Sequence, residues 1–150
     1  AKFFRDQLLA AATPGNPNAH IAEYFRKRGV SAALSQAFYL GAAPASWDAL
    51  ARFFVNAKAP LALATELGLI KPSQKDSAKA GGPGYFDLFR NRAMFPILDL
   101  RGKVVGFGGR GLPSPKNGPD VGDGTPKYLN SSESLLFLKS KLAYGMFQAQ

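Results

Sequence analysis

The chain has no cysteine and a single histidine, His20, among its 150 residues. Without thiols there is no disulfide framework, no thiolate zinc site and no cysteine nucleophile, which fits a cytoplasmic protein. One histidine with no companion makes neither a Ser-His-Asp set nor a metal cluster, so His20 reads as a surface or capping residue. No run approaches the roughly 18 uninterrupted apolar residues of a membrane span, and no membrane partner is expected. Acids are scarce: the ten Asp and Glu stand singly and no Asp-x-Asp occurs. Metal-assisted phosphoryl transfer needs carboxylates converging on the ions. Neither a catalytic residue nor a metal site is therefore expected in this chain.

What is present suits one monomeric domain spanning 1–150. Hydrophobic residues make up 46% of the chain, twelve of them Phe, which is ample for a core. Nineteen Lys and Arg outweigh the acids and give a net charge of +9. An excess of that size favours a polyanion: nucleic acid, an anionic surface or an acidic protein. The N-terminal Ala1-Lys2-Phe3-Phe4 has no initiator Met and no signal-peptide layout, as expected for a piece of a longer protein.

The first third reads as helices. Phe4, Leu8 and Ala11/Ala12 mark one apolar face, ended by Pro14-Gly15-Asn16-Pro17. Asn18 suits the N-cap of a helix with Ile21, Tyr24 and Phe25 on one side and Gly29 just past its end. Arg28, near that end, either caps the last carbonyls or reaches outward. Ser31 caps a short helix through Phe38. Ser46 caps another, with Trp47, Leu50 and Phe54 at the spacing of a buried face, so Trp47 reads as core. Pro60 opens a helix closed by Gly68. The chain from Lys71 to Gly84 turns polar and glycine-rich and reads as a loop, as does Gly111 to Thr125. Asp120 and Asp123 in the latter lack Ca²⁺-loop spacing. Ser132-Glu133 opens a short helix through Phe137.

Between the loops, two apolar runs flank Asp99-Leu100-Arg101-Gly102, where Gly102 can take positive φ; a β-hairpin follows. The expected fold class is α+β, with short helices first and then a small antiparallel sheet built on that hairpin. Cations crowd it. Arg90 and Arg92 alternate at strand spacing and are expected on one face. Arg110 follows Gly108 and Gly109, whose missing side chains would let a phosphate come close. Lys127 and Tyr128 pair a cation with a ring, a combination suited to single strands: charge for phosphate, stacking for base. Asn130 adds an amide, and Lys139 lies on the next helix. The alternative is that Arg90 and Arg92 pair with Asp87 and Asp99 while Tyr128 is core.

The words in this stretch, in order, resemble the N-terminal part of the catalytic core of bacterial DnaG-type primases. Ala22-Glu23-Tyr24-Phe25-Arg26-Lys27-Arg28-Gly29 is similar to that family's A-x-x-Y-L-x-x-R-G. Phe38 to Asp48 resembles its F-x-L-G-Y-A-P-x-x-W-D. Gly68-Leu69-Ile70, Arg90 to Ile97, Val105 to Arg110, Pro126 to Asn130 and Phe137 to Ser140 continue the likeness. Leu88 departs from it, standing where the family often has arginine.

The resemblance implies the basic subdomain of an RNA-polymerase core that makes replication primers. Its template-binding positions carry over to Arg28, Arg90, Arg92, Arg110, Lys127, Tyr128, Asn130 and Lys139. Single-stranded DNA, the RNA primer/DNA heteroduplex and nucleoside triphosphates (NTPs) are the implied ligands. Mg²⁺ or Mn²⁺ would belong to a following Toprim domain and Zn²⁺ to a preceding zinc-binding domain. A replicative helicase and a single-strand-binding protein would be met through domains other than this one. The residues by themselves leave two rivals: a non-catalytic single-strand-binding module, and an adaptor for an acidic protein.

Overall fold

A computed structural model describes residues 1–74, 82–113 and 126–131, together with 145, 148 and 149. Among the described residues, five helices and six strands run in the order α1 (Lys2–Ala11), α2 (Ala19–Lys27), α3 (Ala32–Ala37), β1 (Gly41–Ala43), α4 (Ala49–Asn56), α5 (Leu61–Glu66), β2 (Ile70–Pro72), β3 (Tyr85–Asp87), β4 (Arg92–Leu98), β5 (Val104–Gly111) and β6 (Tyr128–Asn130). The α+β reading holds, and the hairpin is β4–β5. Gly102 takes φ of 77° at its turn, and Asp99 closes it by accepting the N–H groups of Arg101 and Lys103 at 2.8 and 2.9 Å. These bonds hold the Asp99 carboxyl below its usual range. Ser31 accepts from Leu34 N–H as the cap of α3, and Gly29 and Gly68 end their helices at positive φ.

The hairpin is the middle of an antiparallel sheet ordered β1-β4-β5-β6. Side chains alternate across it, so each face has its own core. On one face Met94 and Phe107 meet Phe4, Leu50, Ile70 and Phe89. On the other, Ala42, Ala93 and Leu112 meet Leu8, Ile21 and Phe25, with half-buried Phe95 against Phe25. Two glycines permit this closeness. A Cβ on Gly41 would lie 2.6 Å from the Phe4 Cβ, which lets α1 settle directly onto β1; one on Gly109 would lie 2.9 Å from the Phe89 ring.

Several expectations need correction. β1 and β2 were not foreseen: β2 pairs with β3 in a separate two-stranded sheet, so Lys71 and Pro72 belong to a strand rather than a loop. Ser46 does not cap α4. That job falls to Asp87, 37 residues from Leu50, whose carboxylate accepts the N–H groups of Leu50 and Ala51 at 2.7 and 3.0 Å. Trp47 is not core either; it precedes α4 and is 41% exposed. Asn18 stands at the start of α2 but turns its side-chain oxygen to Ala45 N–H instead of its own helix. The loop through Thr125 from residue 114 onward, and the helix expected from Ser132, lie outside the described residues.

The joint between α2, the β1 exit and the hairpin is Asn91. It is buried and left-handed, with φ of 52°. Its N–H donates to Pro44 O, its carbonyl accepts from Leu112 N–H, and its Nδ2 donates to Leu112 O. With Nδ2 so committed, Oδ1 accepts from His20 Nε2. Asparagine tolerates this backbone better than other chiral residues. Asn91→Ala should destabilise the chain by about 2–4 kcal/mol, since buried partners lose their bonds. Asn91→Gly should recover only the backbone part of that loss. Urea unfolding decides it: a change under 1 kcal/mol for Asn91→Ala would remove Asn91 from this role.

Candidate nucleic-acid interface

Three elements bring a row of cations and rings together. Arg28 ends α2, and its guanidinium lies over the Tyr24 ring, 5.3 Å from the centroid and one helical turn back. Arg110 of β5 points to the same face and lies between two rings, 5.4 Å from Tyr24 and 5.5 Å from Tyr128. Tyr128 is the cross-strand neighbour of Arg110 and is 67% exposed, so it is not core. Lys127 Nζ lies 5.9 Å from the Tyr128 ring. The result is an alternation: Arg28, Tyr24, Arg110, Tyr128, Lys127. Each contact contributes about 0.5–2 kcal/mol, the more so as it is desolvated.

No described acid forms an ion pair with these cations. The three described ion pairs join Lys2 to Asp6, Glu23 to Arg26 and Asp48 to Arg52. Glu23 is the acid nearest in sequence to Arg28, and Arg26 takes both of its oxygens. Asn130 lies beside the row on the exposed edge strand.

The remaining expected site residues fall elsewhere. Arg90 and Arg92 do not share a face, because left-handed Asn91 between them breaks the strand alternation. Arg90 lies 4.8 Å from the Trp47 ring and 5.7 Å from that of Phe86, which is stacked on Trp47, and it donates to the Asp87 carbonyl. Arg92 is 1% exposed, and its Nη1 donates to the carbonyls of Gly109 and Lys127 at 3.3 and 3.2 Å. It ties β5 to the segment entering β6. The reading of Gly108 and Gly109 as room for phosphate is corrected. Gly109 faces the core, and the space over Gly108 is taken by the Asn130 amide, whose Oδ1 would lie 3.1 Å from an added Cβ. Lys139 is outside the described residues.

Sequence reasoning placed Tyr24 on a buried helix face and Trp47 in the core. The available signal for Tyr24 was its i, i+4 spacing to Arg28, which also fits a purely structural pair.

The family model for the N-terminal domain of the DNA primase catalytic core matches residues 5–150. The chain belongs to that family. Its relatives include the DNA primase of Salmonella typhimurium, 41% identical over 128 residues, which cover 85% of this chain and 19% of that protein. The DNA primase of Halalkalibacterium halodurans is 40% identical over 150 residues, all of this chain and 22% of that protein. Among solved structures, a DnaG catalytic core is 34% identical with a TM-score of 0.75, covering 99% of this chain and 40% of that one. A DnaG primase catalytic domain bound to single-stranded DNA is 33% identical with a TM-score of 0.72, covering 99% of this chain and 41% of that one. The chain thus spans about a fifth of the length of the two primases.

The described residues do not fit a metal ion of the kind the resemblance implies. No three of their His, Asp or Glu side chains converge; Asp87 and Asp99 are engaged with backbone N–H groups.

Asp87 nonetheless has a measurable signature. Burial pushes its carboxyl up to about 6, although the N–H groups of Leu50 and Ala51 pull the other way. From about pH 4 to 6 the folded chain then binds more protons here than the unfolded chain. This contribution to stability is present at low pH and lost as pH rises through about 6. It is on the order of 3 kcal/mol. Asp87→Asn, which cannot ionise, should flatten urea-unfolding stability between pH 4 and 7 relative to wild type; identical slopes would contradict the assignment.

Proposed function

We propose that this chain is the template-holding part of a DNA primase, a DNA-dependent RNA polymerase that makes primers for replication. The observation that carries the reading is the row Arg28, Tyr24, Arg110, Tyr128, Lys127, whose cations are held by rings. Single strands need a charged track for the backbone and aromatic faces for bases, and this row offers both. Asn130 adds hydrogen bonding. Arg92 fixes the Lys127 segment from beneath, and Arg90 with Trp47 forms a second cation–ring group. The relative with bound single-stranded DNA supports the same ligand class. The heteroduplex and the phosphates of incoming NTPs are further proposed ligands of this basic surface; Lys139, outside the described residues, stays a proposed contact on sequence grounds alone. Catalysis would lie with metal-binding carboxylates on another domain, and the helicase and single-strand-binding protein would be met outside this chain.

Binding to a labelled oligo-dT should be weak and steeply salt-dependent. With Arg28, Arg110 and Lys127 engaged, the log-log slope should be roughly −2, about 0.7 per phosphate neutralised. Arg28→Ala and Lys127→Ala should each weaken binding and flatten that slope by about 0.7 while leaving the melting temperature nearly unchanged. A flat salt response, or equal affinity for polyglutamate, would contradict the reading and favour the acidic-partner adaptor. Given template, NTPs and Mg²⁺ or Mn²⁺, the purified chain should make no primer. Chelator-sensitive templated synthesis by it would overturn the assignment of catalysis elsewhere.

A further inference from the structure

A phosphate-binding cation has two opposed requirements. It must be held in place, or binding costs the entropy of ordering a long side chain. It must also keep its charge, and a carboxylate that fixes it cancels the field the phosphate would feel. Aromatic rings satisfy both, because the face of a ring orients a cation without carrying a net opposite charge.

Tyr24 meets this description on two sides. The guanidiniums of Arg28 and Arg110 both lie within 5.4 Å of its centroid, although one comes from the end of α2 and the other from β5. The ring is anchored: it is half-buried, packs against the cluster containing Ile21 and Phe25, and stands edge-on to Phe25 at 5.6 Å. It therefore does not have to be ordered when a ligand arrives. Arg110 Nε is buried without a described hydrogen-bond partner, so its guanidinium is restrained by the rings on either side together with the bond its Nη1 donates to Gly111 O.

We propose that Tyr24 is a positioning residue of the strand-binding surface, holding Arg28 and Arg110 together as a two-cation unit for the phosphodiester backbone. This inference rests on the template-holding reading and adds a residue to it. Tyr24 need not touch the strand. Its effect passes through the two arginines, so its loss changes how many phosphates are neutralised without changing the chain's charge.

The test compares the wild-type chain with Tyr24→Leu and Tyr24→Phe, using oligo-dT affinity across a salt series and the side-chain NMR signals of arginine. Tyr24→Leu should bind about 3- to 10-fold more weakly, with a slope flatter by about 0.7. The Arg28 side-chain signal should lose its ring-induced displacement, and that of Arg110 only the part due to Tyr24, since Tyr128 remains beside it. Tyr24→Phe should keep affinity, slope and signals, since it keeps the ring. Where Tyr24→Leu melts too low to assay, Tyr24→Met carries the same comparison. Wild-type binding that the ringless variant leaves unchanged in affinity and slope would overturn this inference alone. A wild-type chain that does not bind oligo-dT would overturn the template-holding reading and this inference with it.

Discussion

The left-handed turn at Asn91 is the constraint on which the placement of the hairpin depends. One residue there satisfies the chain leaving β1, the chain leaving β5 and the side chain of His20 on α2. An amide does this because it offers a donor and an acceptor at once, and because asparagine accepts a backbone that other chiral residues resist. The turn also decides charge. By breaking the alternation, it sends Arg90 toward the Trp47–Phe86 stack and Arg92 into the interior beneath Gly109. One buried amide therefore determines which of two neighbouring arginines is buried and which stays half-exposed.

Much of this architecture was legible wherever the governing interaction is local. The apolar spacing of Phe4, Leu8 and Ala11, the cap at Ser31, the helix ends at Gly29 and Gly68, and the glycine at the hairpin turn each act within a few residues. They were read correctly for that reason. β1 and β2 escaped because three residues, Gly-Ala-Ala or Ile-Lys-Pro, carry no alternation. Ser46 was the better local candidate for capping α4, but a carboxylate from a distant strand occupies the position. Trp47 has apolar neighbours at helical spacing, yet it lies before the helix begins, and its ring stacks on β3.

The site was legible in its residues and obscure in its arrangement. Arg28, Arg110, Lys127 and Tyr128 meet through three elements, and only the resemblance to primases joined the first of them to the others. Tyr24 was hidden by its double character, since a half-buried tyrosine on an apolar stripe looks the same whether or not cations rest on it. The glycines before Arg110 suggested space for a ligand. They supply space for the protein: Phe89 fills it on one side and Asn130 on the other. What distinguishes the surface is how its cations are restrained, and composition does not reveal that.

The capping of α4 by Asp87 bears on the order in which this chain can acquire structure. Eight residues make a helix too short to persist by itself. The N–H groups of Leu50 and Ala51 meet the Asp87 carboxylate only when β3 arrives, 37 residues downstream of Leu50. Closing a loop of that length must be compensated before the contact contributes anything. α4 is therefore expected to gain its cap together with β3 rather than ahead of it. On a growing polypeptide, α4 would wait uncapped until Asp87 had been synthesised.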